Sequence, residues 1–307
     1  MTETPSSDQR RPLAGGGLGL ALTLAALWGG NPVAAKAGLD DAPPLRLGWM
    51  RFVLGTVVVL LWALATKQSF RVLRSEWWPL IGLGVLFSSQ IAFMNVGQDH
   101  TTAGHAAVIT ATFPLWTGVI AHFVVPGDRL NRERVIGTLL AYAGVVALFS
   151  TGLEGDATIG GDLLMTVSAV LLGSRLVYLS QAAQGIAIHK LLFAQSVVGI
   201  ATFVIASAFV EDEAYVMTSR LAVSLLYQGV VIAGFGFLGN TWLLQRYLPS
   251  GVATTQLTTP FFAVIAGAII LGEDIGLELI VGAALVVLGQ LIARSQELRR
   301  ALRRAAA

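Results

Sequence analysis

Long runs of apolar residues dominate this chain, and short polar breaks separate the runs. A helix rises about 1.5 Å per residue, so about 20 residues cross the roughly 30 Å hydrocarbon core of a bilayer. The runs predict ten membrane-spanning helices, at residues 17–37, 46–66, 78–97, 103–125, 134–152, 162–182, 189–210, 220–244, 251–271 and 277–294. The pattern therefore predicts an all-α integral membrane protein.

The composition indicates the same class of protein. Of 307 residues, 55% are hydrophobic and 12% are charged, whereas soluble domains carry about 25% charged residues. The sequence has no cysteine, which excludes disulfides, thiolate metal sites and cysteine nucleophiles. It has no metalloprotease, serine hydrolase or Walker motif, and a net charge of +2 does not indicate a nucleic-acid partner. We therefore expect no enzyme, no cofactor and no metal.

Lysine and arginine are distributed unequally between the two sets of polar breaks. If the N-terminus is on the inner side, fifteen of the twenty basic residues fall in inner breaks or tails. Because basic residues accumulate in cytoplasmic loops, both termini are expected in the cytoplasm. The prediction is a multi-pass protein of a bacterial inner membrane. A disordered cytoplasmic tail is expected at 1–15 and a basic cytoplasmic tail at 297–307.

About half of the chain is echoed in the other half. The stretch 104–127 resembles 250–274, and Pro114 corresponds to Pro260 at an offset of 146. Other glycines correspond at an offset of 145, and such a constant offset indicates an internal duplication. Five spans are an odd number, so the second copy would enter the membrane inverted, as in many alternating-access carriers. The predicted repeats are residues 16–153 and 154–296.

Several motifs carry a family resemblance. They are WGGNPVAAK at 28–36, Arg-Phe at 51–52, the proline-centred fourth and ninth spans, and Gly-Glu-Asp at 272–274. With these motifs the chain resembles the ten-helix, EamA-type branch of the drug/metabolite transporter superfamily, and within it the exporters of aromatic amino acids and paraquat. The resemblance implies two inverted five-helix repeats around a central cavity. The first repeat departs from it at 126–128, where the sequence is Pro-Gly-Asp.

The first span carries candidate substrate-binding residues. Trp28 lies near mid-span, away from the interfacial belts where membrane tryptophans concentrate. Pro32 frees a backbone carbonyl and Asn31 adds an amide, so this face is expected to line a wet cavity, with a kinked, packed helix as the alternative. Lys36 lies on the same face near the outer end. It either meets a substrate carboxylate, or it extends to the headgroups or pairs with Asp40.

Two arginines also fall within predicted spans. Arg175 would lie about 20 Å deep, with Tyr178 three residues on along the same helix face. A charge at that depth needs water, a partner or a cavity, so a cavity position competes with extension to the inner surface. Arg51 lies five residues into its span, which favours a structural side chain that reaches the outer headgroups.

Other spans offer rings, amides and hydroxyls at mid-depth. Such groups suit an amphipathic, ring-bearing solute, although they serve equally in ordinary helix packing. The further substrate-binding candidates are Gln90 in span three, Phe113 and Trp116 in span four, and Gln256, Thr259 and Phe262 in span nine. The candidate positions for helix breaks and gating are Pro32, Pro114, Pro260, Gly236 and Gly239.

The last span of each repeat carries two glycines seven residues apart, Gly137 with Gly144 and Gly282 with Gly289. Seven residues are two helical turns, so each pair lies on one helix face. The simplest interpretation is that these two helices pack against each other; a homodimer contact is the alternative. We expect a monomer.

All eighteen acidic residues lie in tails, loops or span ends. Without a mid-membrane carboxylate, proton coupling would depend on a histidine such as His105 or His122. We therefore expect transport to be facilitated. The family resemblance implies that the exported solutes are aromatic amino acids and related amphipathic metabolites. Proton-coupled export of other metabolites or drugs is one alternative. Exchange of nucleotide sugars or phosphorylated metabolites is another, because basic residues would also bind phosphate.

Overall fold

The computed structural model describes residues 10–101, 103–148, 158–271, 277–293 and 295. The regular secondary structure of that part of the chain is helical, apart from one isolated β-bridge between Arg11 and Tyr247. The predicted tails fall wholly or mostly outside it, as does the turn at 272–274. The helices are α1 (Gly16–Leu39), α2 (Pro44–Ala65), α3 (Trp77–Asp99), α4 (Ala103–Thr110), α5 (Phe113–Val124), α6 (Arg132–Leu148), α7 (Ile159–Ala182), α8 (Ile188–Val210), α9 (Ser219–Leu225), α10 (Phe237–Arg246), α11 (Pro249–Thr255), α12 (Thr259–Leu271) and α13 (Leu277–Ala293).

Three short segments of π- or 3₁₀-helix connect or extend these α-helices into longer continuous rods. A π-helical segment, Leu226–Gly236, joins α9 to α10, and 3₁₀ turns at Arg74–Glu76 and Gln256–Thr258 precede α3 and α12. Seven helical segments of the described chain are long and apolar enough to cross a bilayer. The helices α6, α12 and α13 are shorter, with 17, 13 and 17 residues. The architecture is thus that of a multi-pass, all-helical membrane protein.

Prolines explain the breaks in two of the rods. Proline lacks the N–H that would bond the carbonyl four residues earlier, and its ring crowds that carbonyl. Accordingly α4 ends at Thr110, shortly before Pro114, and α11 ends at Thr255, shortly before Pro260. The helix α1 instead continues through Pro32. The broken rods leave irregular backbone in the middle of the bundle.

The packing of the helices follows a regular scheme. The helix α1 packs against α12, and α5 packs against α7; α2 packs against the π segment, and α3 packs against α8. The pairs α2 with α8 and α6 with α13 are also in contact. We count as one rod each the pair α4 and α5, the series of α9, the π segment and α10, and the pair α11 and α12; every other helix is a rod by itself. If the rods of the described chain are numbered in order from one to ten, exchanging rod n with rod n+5 maps every one of these contacts onto another or onto itself.

The glycines of α6 and α13 allow these two helices to pack at very short distance. A Cβ added at Gly144 would lie 2.6 Å from the carbonyl oxygen of Gly282, and one at Gly289 would lie 2.5 Å from that of Gly137. No real side chain tolerates such distances, so only glycine permits this approach. The predicted contact between the last helices of the two halves is confirmed.

Polar contacts define one end of the bundle, which we call the N-terminal face. The Arg11 amide donates to the carbonyl of Arg246 (3.1 Å), and the Ser250 amide donates to Asp128 (3.0 Å). Lys190 pairs with Glu76 at 2.9 Å. These contacts place the polar ends of rods that are distant in sequence side by side.

The opposite face is defined by a second set of contacts. Asp41 accepts hydrogen bonds from Thr218 (2.7 Å) and Arg220 (2.9 Å), which hold the pKa of its carboxyl below the ordinary value. Farther along the same face, the Thr158 amide donates to the carbonyl of His100 (3.1 Å). The helices therefore run between two polar ends, as expected for rods that cross a membrane.

Candidate functional site

A cavity of about 860 Å³ lies in the middle of the bundle. Its wall is formed by α1 to α5, α7, the π segment, α10, the 3₁₀ turn Gln256–Thr258 and α12. Polar groups enter it from Asn31, Arg51, Gln90, Gln98, Thr110, Arg175, Gln228, Asn240, Gln256 and Thr259, and rings enter it from Trp28, Phe52, Phe87, Phe113 and Phe237. None of the lining residues that the structure describes is acidic.

The cavity is closed towards the N-terminal face by packed aliphatic side chains. In each of four rods, a buried core residue lies four positions from a lining residue. Four positions are about one helical turn, and in each case the core residue is the one nearer the N-terminal face. The pairs are Trp28 with Leu24, Arg175 with Leu179, Asn240 with Leu244, and Gln256 with Val252. In the other direction the lining continues to Gln98, in the last turn of α3. The cavity thus extends towards the opposite face.

Three lining positions lie four residues before a proline. Pro32, Pro114 and Pro260 deprive the carbonyls of Trp28, Thr110 and Gln256 of their usual N–H donor. All three of these residues line the cavity. The Gln256 carbonyl instead accepts from the Thr259 amide at the end of the 3₁₀ turn. A carbonyl that lacks its helical donor, as at Trp28 and Thr110, is costly against lipid but can be satisfied by water or a ligand in the cavity.

Two guanidinium groups belong to the wall, and each lies against a phenylalanine ring. The guanidinium carbon of Arg51 is 5.0 Å from the Phe52 ring centroid, and that of Arg175 is 4.9 Å from that of Phe87. Arg51 also donates to the amide oxygen of Gln228 at 3.2 Å. The Nε of Arg51 and the Nε and Nη1 of Arg175 are buried without a hydrogen-bond partner.

Most of the sequence-predicted site residues meet at this cavity. They are Trp28, Asn31, Pro32, Gln90, Phe113, Arg175, Gln256, Thr259 and Pro260. They come from five rods that are far apart in sequence, and each offers a ring, an amide, a hydroxyl, a charge or a helix break near mid-span. Whether each of them contacts a substrate stays a prediction.

Trp116 and Phe262, at corresponding places in α5 and α12, do not line the cavity. A Cβ added at Gly173 would lie 2.9 Å from the Cβ of Trp116, and one at Gly29 would lie 2.5 Å from that of Phe262. The Cβ atoms of both aromatic residues therefore pack against a glycine of the neighbouring rod. Tyr178 also lies elsewhere, because its hydroxyl donates to the carbonyl of Pro79 at 3.1 Å.

Several gating candidates lie just outside the wall. Pro114 borders a separate cavity of about 120 Å³, and Gly239 packs on the Leu24 side chain. Gly236 leaves room beside the indole of Trp28, whose nearest atom would be 3.8 Å from an added Cβ. Lys36 belongs to α1, but its side chain lies outside what the structure describes.

His105, the predicted proton site, is not part of the wall. Its Nδ1 lies 2.9 Å from Oδ2 of Asp162, and Oδ1 of the same carboxylate accepts from the hydroxyl of Thr101 at 2.5 Å. The histidine thus joins the start of α4 to the first turn of α7, at the opposite face. Among the described residues no cluster of three or more histidine, aspartate or glutamate side chains is arranged to hold a metal.

The interpretation of Arg51 as a residue that reaches the outer headgroups is wrong. Its side chain lines the cavity and bonds Gln228, which is fully buried in the π segment. The sequence analysis did not predict that Gln228, Asn240 and Thr110 line the cavity. Gln228 and Asn240 are polar residues of a glycine-rich apolar span. The spacing of four residues before Pro114 would have identified Thr110.

Comparisons with known proteins agree with this architecture. The profile of the EamA-like transporter family matches the chain twice, at residues 15–150 and 159–295. A probable amino-acid metabolite efflux pump of Salmonella typhimurium is 27% identical over 287 residues, covering 88% of this chain and 92% of that protein. The uncharacterized transporter YvbV of Bacillus subtilis is 26% identical over 267 residues, covering 86% and 87% of the two chains.

A solved crystal structure gives an independent comparison of the fold. It superimposes with a TM-score of 0.78 at 20% sequence identity, over 90% of this chain and 97% of the other. An identity this low supports only a shared fold. The family profile, however, covers most of the sequence in two consecutive matches. The chain therefore belongs to the EamA-like transporter family.

Proposed function

We propose that this transporter exports aromatic amino acids and related amphipathic metabolites by alternating access, across a bacterial inner membrane. The observation that carries the proposal is the central cavity, whose described wall combines five aromatic rings, two guanidinium groups and several amides with no acid. Rings bind a planar side chain by stacking, guanidinium groups bind a carboxylate, and amides orient polar groups. The similarity to a probable amino-acid metabolite efflux pump points in the same direction.

The proposed architecture is ten spans in two inverted five-helix repeats. Two consecutive matches to one family profile support a duplication. The exchange of rod n with rod n+5, which maps each major helix contact onto another or onto itself, supports a two-fold relation between the halves. In inverted-repeat carriers the binding site lies between the halves near the bilayer midplane, and a cavity lined by rods from both proposed halves supports this architecture.

The proposed orientation places the N-terminal face in the cytoplasm. Arg10, Arg71, Arg129, Lys190 and Arg246 lie at or next to that face, consistent with the enrichment of basic residues in cytoplasmic loops. The cavity is closed towards this face and extends towards the other. The described conformation is then the outward-facing one, in which an exporter releases its substrate.

We propose that transport is facilitated, because no acidic side chain of the described wall can exchange a proton with the substrate site. Proton-coupled transport would instead have to use the pair of His105 and Asp162, which lies at the opposite face. Accumulation of substrate against its gradient, driven by an imposed pH difference, would favour the coupled alternative.

The experiment is counterflow in proteoliposomes that contain the purified chain. Labelled phenylalanine should enter vesicles preloaded with unlabelled phenylalanine, tyrosine or tryptophan, and the exchange should saturate. Trp28→Ala and Arg175→Gln should each slow exchange about tenfold, the effect of losing about 1.4 kcal/mol of binding energy. Trp62→Ala, which removes an exposed tryptophan of α2, is the matched control.

Other outcomes would contradict the proposal. Exchange of a nucleotide sugar or a sugar phosphate without exchange of aromatic amino acids would reverse the assignment of substrate class. Flux that does not saturate would indicate a channel. Equal exchange by the parent chain and both cavity variants would place the binding site elsewhere.

A further inference from the structure

We propose, on the basis of the transport function above, that the cavity is an anion-selective site. It prefers aromatic carboxylic and 2-oxo acids to the zwitterionic amino acids with the same ring, and it rejects the corresponding amines.

The first observation is a continuous row of cations and rings along the wall. The guanidinium carbon of Arg51 is 5.0 Å from the Phe52 centroid, the Phe52 and Phe87 centroids are 5.1 Å apart, and the guanidinium carbon of Arg175 is 4.9 Å from the Phe87 centroid. These three successive distances limit the separation of the two guanidinium carbons to about 15 Å. A bound ligand of the size of phenylalanine can therefore interact electrostatically with both guanidinium groups at once.

The second observation is that the positive charge has no described compensation. Arg51 bonds only a neutral amide, that of Gln228, and Arg175 makes no described hydrogen bond. None of the wall residues within the described ranges is acidic. Charged groups inside a membrane are costly unless a partner or water stabilises them. A bound carboxylate would accept hydrogen bonds from guanidinium nitrogens and neutralise part of this charge.

The third observation concerns the ammonium group of an amino acid. The amide oxygens of Gln228 and Asn240 already accept hydrogen bonds, from Arg51 (3.2 Å) and Gln256 (3.2 Å). The remaining acceptors in the described wall are neutral amides, hydroxyls and backbone carbonyls. An ammonium would thus lose water, gain no opposite charge and be repelled by both guanidinium groups. Removing it from the ligand should strengthen binding.

The rings of the wall explain why the ligand is aromatic. Phe52, Phe87 and Phe237 form a chain of contacts, with centroids 5.1 and 6.4 Å apart. Trp28 and Phe113 also line the cavity. An aromatic side chain can pack edge-to-face or offset-stacked against this surface while its carboxylate meets a guanidinium.

The experiment measures calorimetric binding to the purified full chain in nanodiscs, with empty nanodiscs as the blank. The three probes share one skeleton: 3-phenylpropionate lacks the ammonium of L-phenylalanine, and phenethylamine lacks its carboxylate. We expect 3-phenylpropionate to bind at least tenfold more tightly than L-phenylalanine, and phenethylamine not to bind measurably. Equal binding of the acid and the amino acid, or any binding of the amine comparable to them, would overturn the proposal.

Variants locate the effect in the two arginines. Arg51→Gln and Arg175→Gln should each weaken binding of 3-phenylpropionate at least tenfold and reduce its advantage over L-phenylalanine. Arg175→Lys, which keeps the charge but loses the planar guanidinium, should retain part of that advantage. Arg71→Gln, which removes an exposed cation, should change neither value. Unchanged selectivity in both glutamine variants would overturn the proposal, and the comparison of ligands on the parent chain remains decisive if a variant fails to fold.

Failure of this proposal is distinguishable from failure of the proposed function. Counterflow of labelled phenylalanine without selectivity for the acid would leave aromatic amino-acid transport intact and reject the anion-selective site. Arginine-dependent binding of 3-phenylpropionate without phenylalanine counterflow would retain the anion-selective site and reject amino-acid export.

Discussion

Asp128 lies at the N-terminal face, where it is 1% exposed and joins the two halves of the chain. It pairs with Arg134 at 2.6 Å and accepts from both the amide (3.0 Å) and the hydroxyl (2.5 Å) of Ser250. A carboxylate so enclosed is stable because each oxygen has a donor. In the proposed outward-facing state, this residue contributes to the closure of the cytoplasmic side.

Asp128→Ala should destabilise the protein strongly. The change leaves the Ser250 amide without its partner and removes the carboxylate that Arg134 binds, and breaking a buried pair in this way costs about 3 kcal/mol. Thermal unfolding of the purified chain in detergent measures the effect as a lowered midpoint. Asp212→Ala, at an exposed position of the loop before α9, is the control. A midpoint equal to that of the parent would show that the network does not stabilise this face.

The residues of the wall depend on the elements that carry them. The π segment Leu226–Gly236 brings Gln228, Ile232 and Ala233 to the cavity. A π-helix is wider than an α-helix and is often found at functional sites. The glycines of this segment are sites of close packing, since a Cβ at Gly229 would lie 2.5 Å from the Cβ of Leu54 and one at Gly234 would lie 2.8 Å from that of Val58.

Gly144→Ala tests the contact between α6 and α13. The new methyl group would meet the carbonyl oxygen of Gly282 at 2.6 Å and the Val286 amide at 3.0 Å, so the helices must separate. We expect a loss of about 1–3 kcal/mol in the free energy of unfolding, as for other overpacked sites. Thermal unfolding in nanodiscs measures it.

The matched control is Gly48→Ala in α2, where an added Cβ meets no atom within 4 Å. Alanine is favoured over glycine in a helix by about 1 kcal/mol, so this variant should be at least as stable as the parent. If Gly144→Ala were as stable as Gly48→Ala, the close approach of the two helices would be incorrect.

At the scale of the whole molecule, hydrogen bonds and ion pairs join distant rods at both faces, but the described part of the cavity meets aliphatic core residues towards the N-terminal face. Leu24, Leu179, Leu244 and Val252 close it towards the N-terminal face, whereas the lining reaches Gln98 towards the other. Alternating access would require these four aliphatic residues to separate while the end of the cavity near Gln98 closes. The irregular backbone at the proline breaks is placed where such a movement would bend the rods.

The proposed topology is testable with single cysteines, because the native chain has none. Gln68 and Glu213 are exposed, in the loops after α2 and before α9. In intact spheroplasts a membrane-impermeant maleimide should label Glu213→Cys at once, and Gln68→Cys only after permeabilisation. The reversed pattern would place the termini outside, and labelling of both sites from one side would contradict the proposed crossing of α3 to α8.

The sequence by itself determined the class of the protein, the positions of the helices and much of the chemistry of the cavity. Runs of about 20 apolar residues define rods whatever their packing, and the prolines mark where backbone carbonyls lose a donor. The spacing of Gly137 and Gly144 predicted a close contact because only a face without side chains permits one. Trp28, Asn31, Gln90 and Arg175 were candidates because their side chains do not suit lipid.

Only the tertiary structure decided which side of each rod faces the cavity. Lipid is as apolar as a packed protein interior, so the pattern of apolar residues around a membrane helix does not distinguish the two. Arg51 was therefore assigned to the headgroups although it meets Gln228 in the cavity. Trp116 and Phe262 were assigned to the cavity although both pack on glycines. Each assignment depends on a neighbouring rod far away in sequence, and only the packing of the rods reveals it.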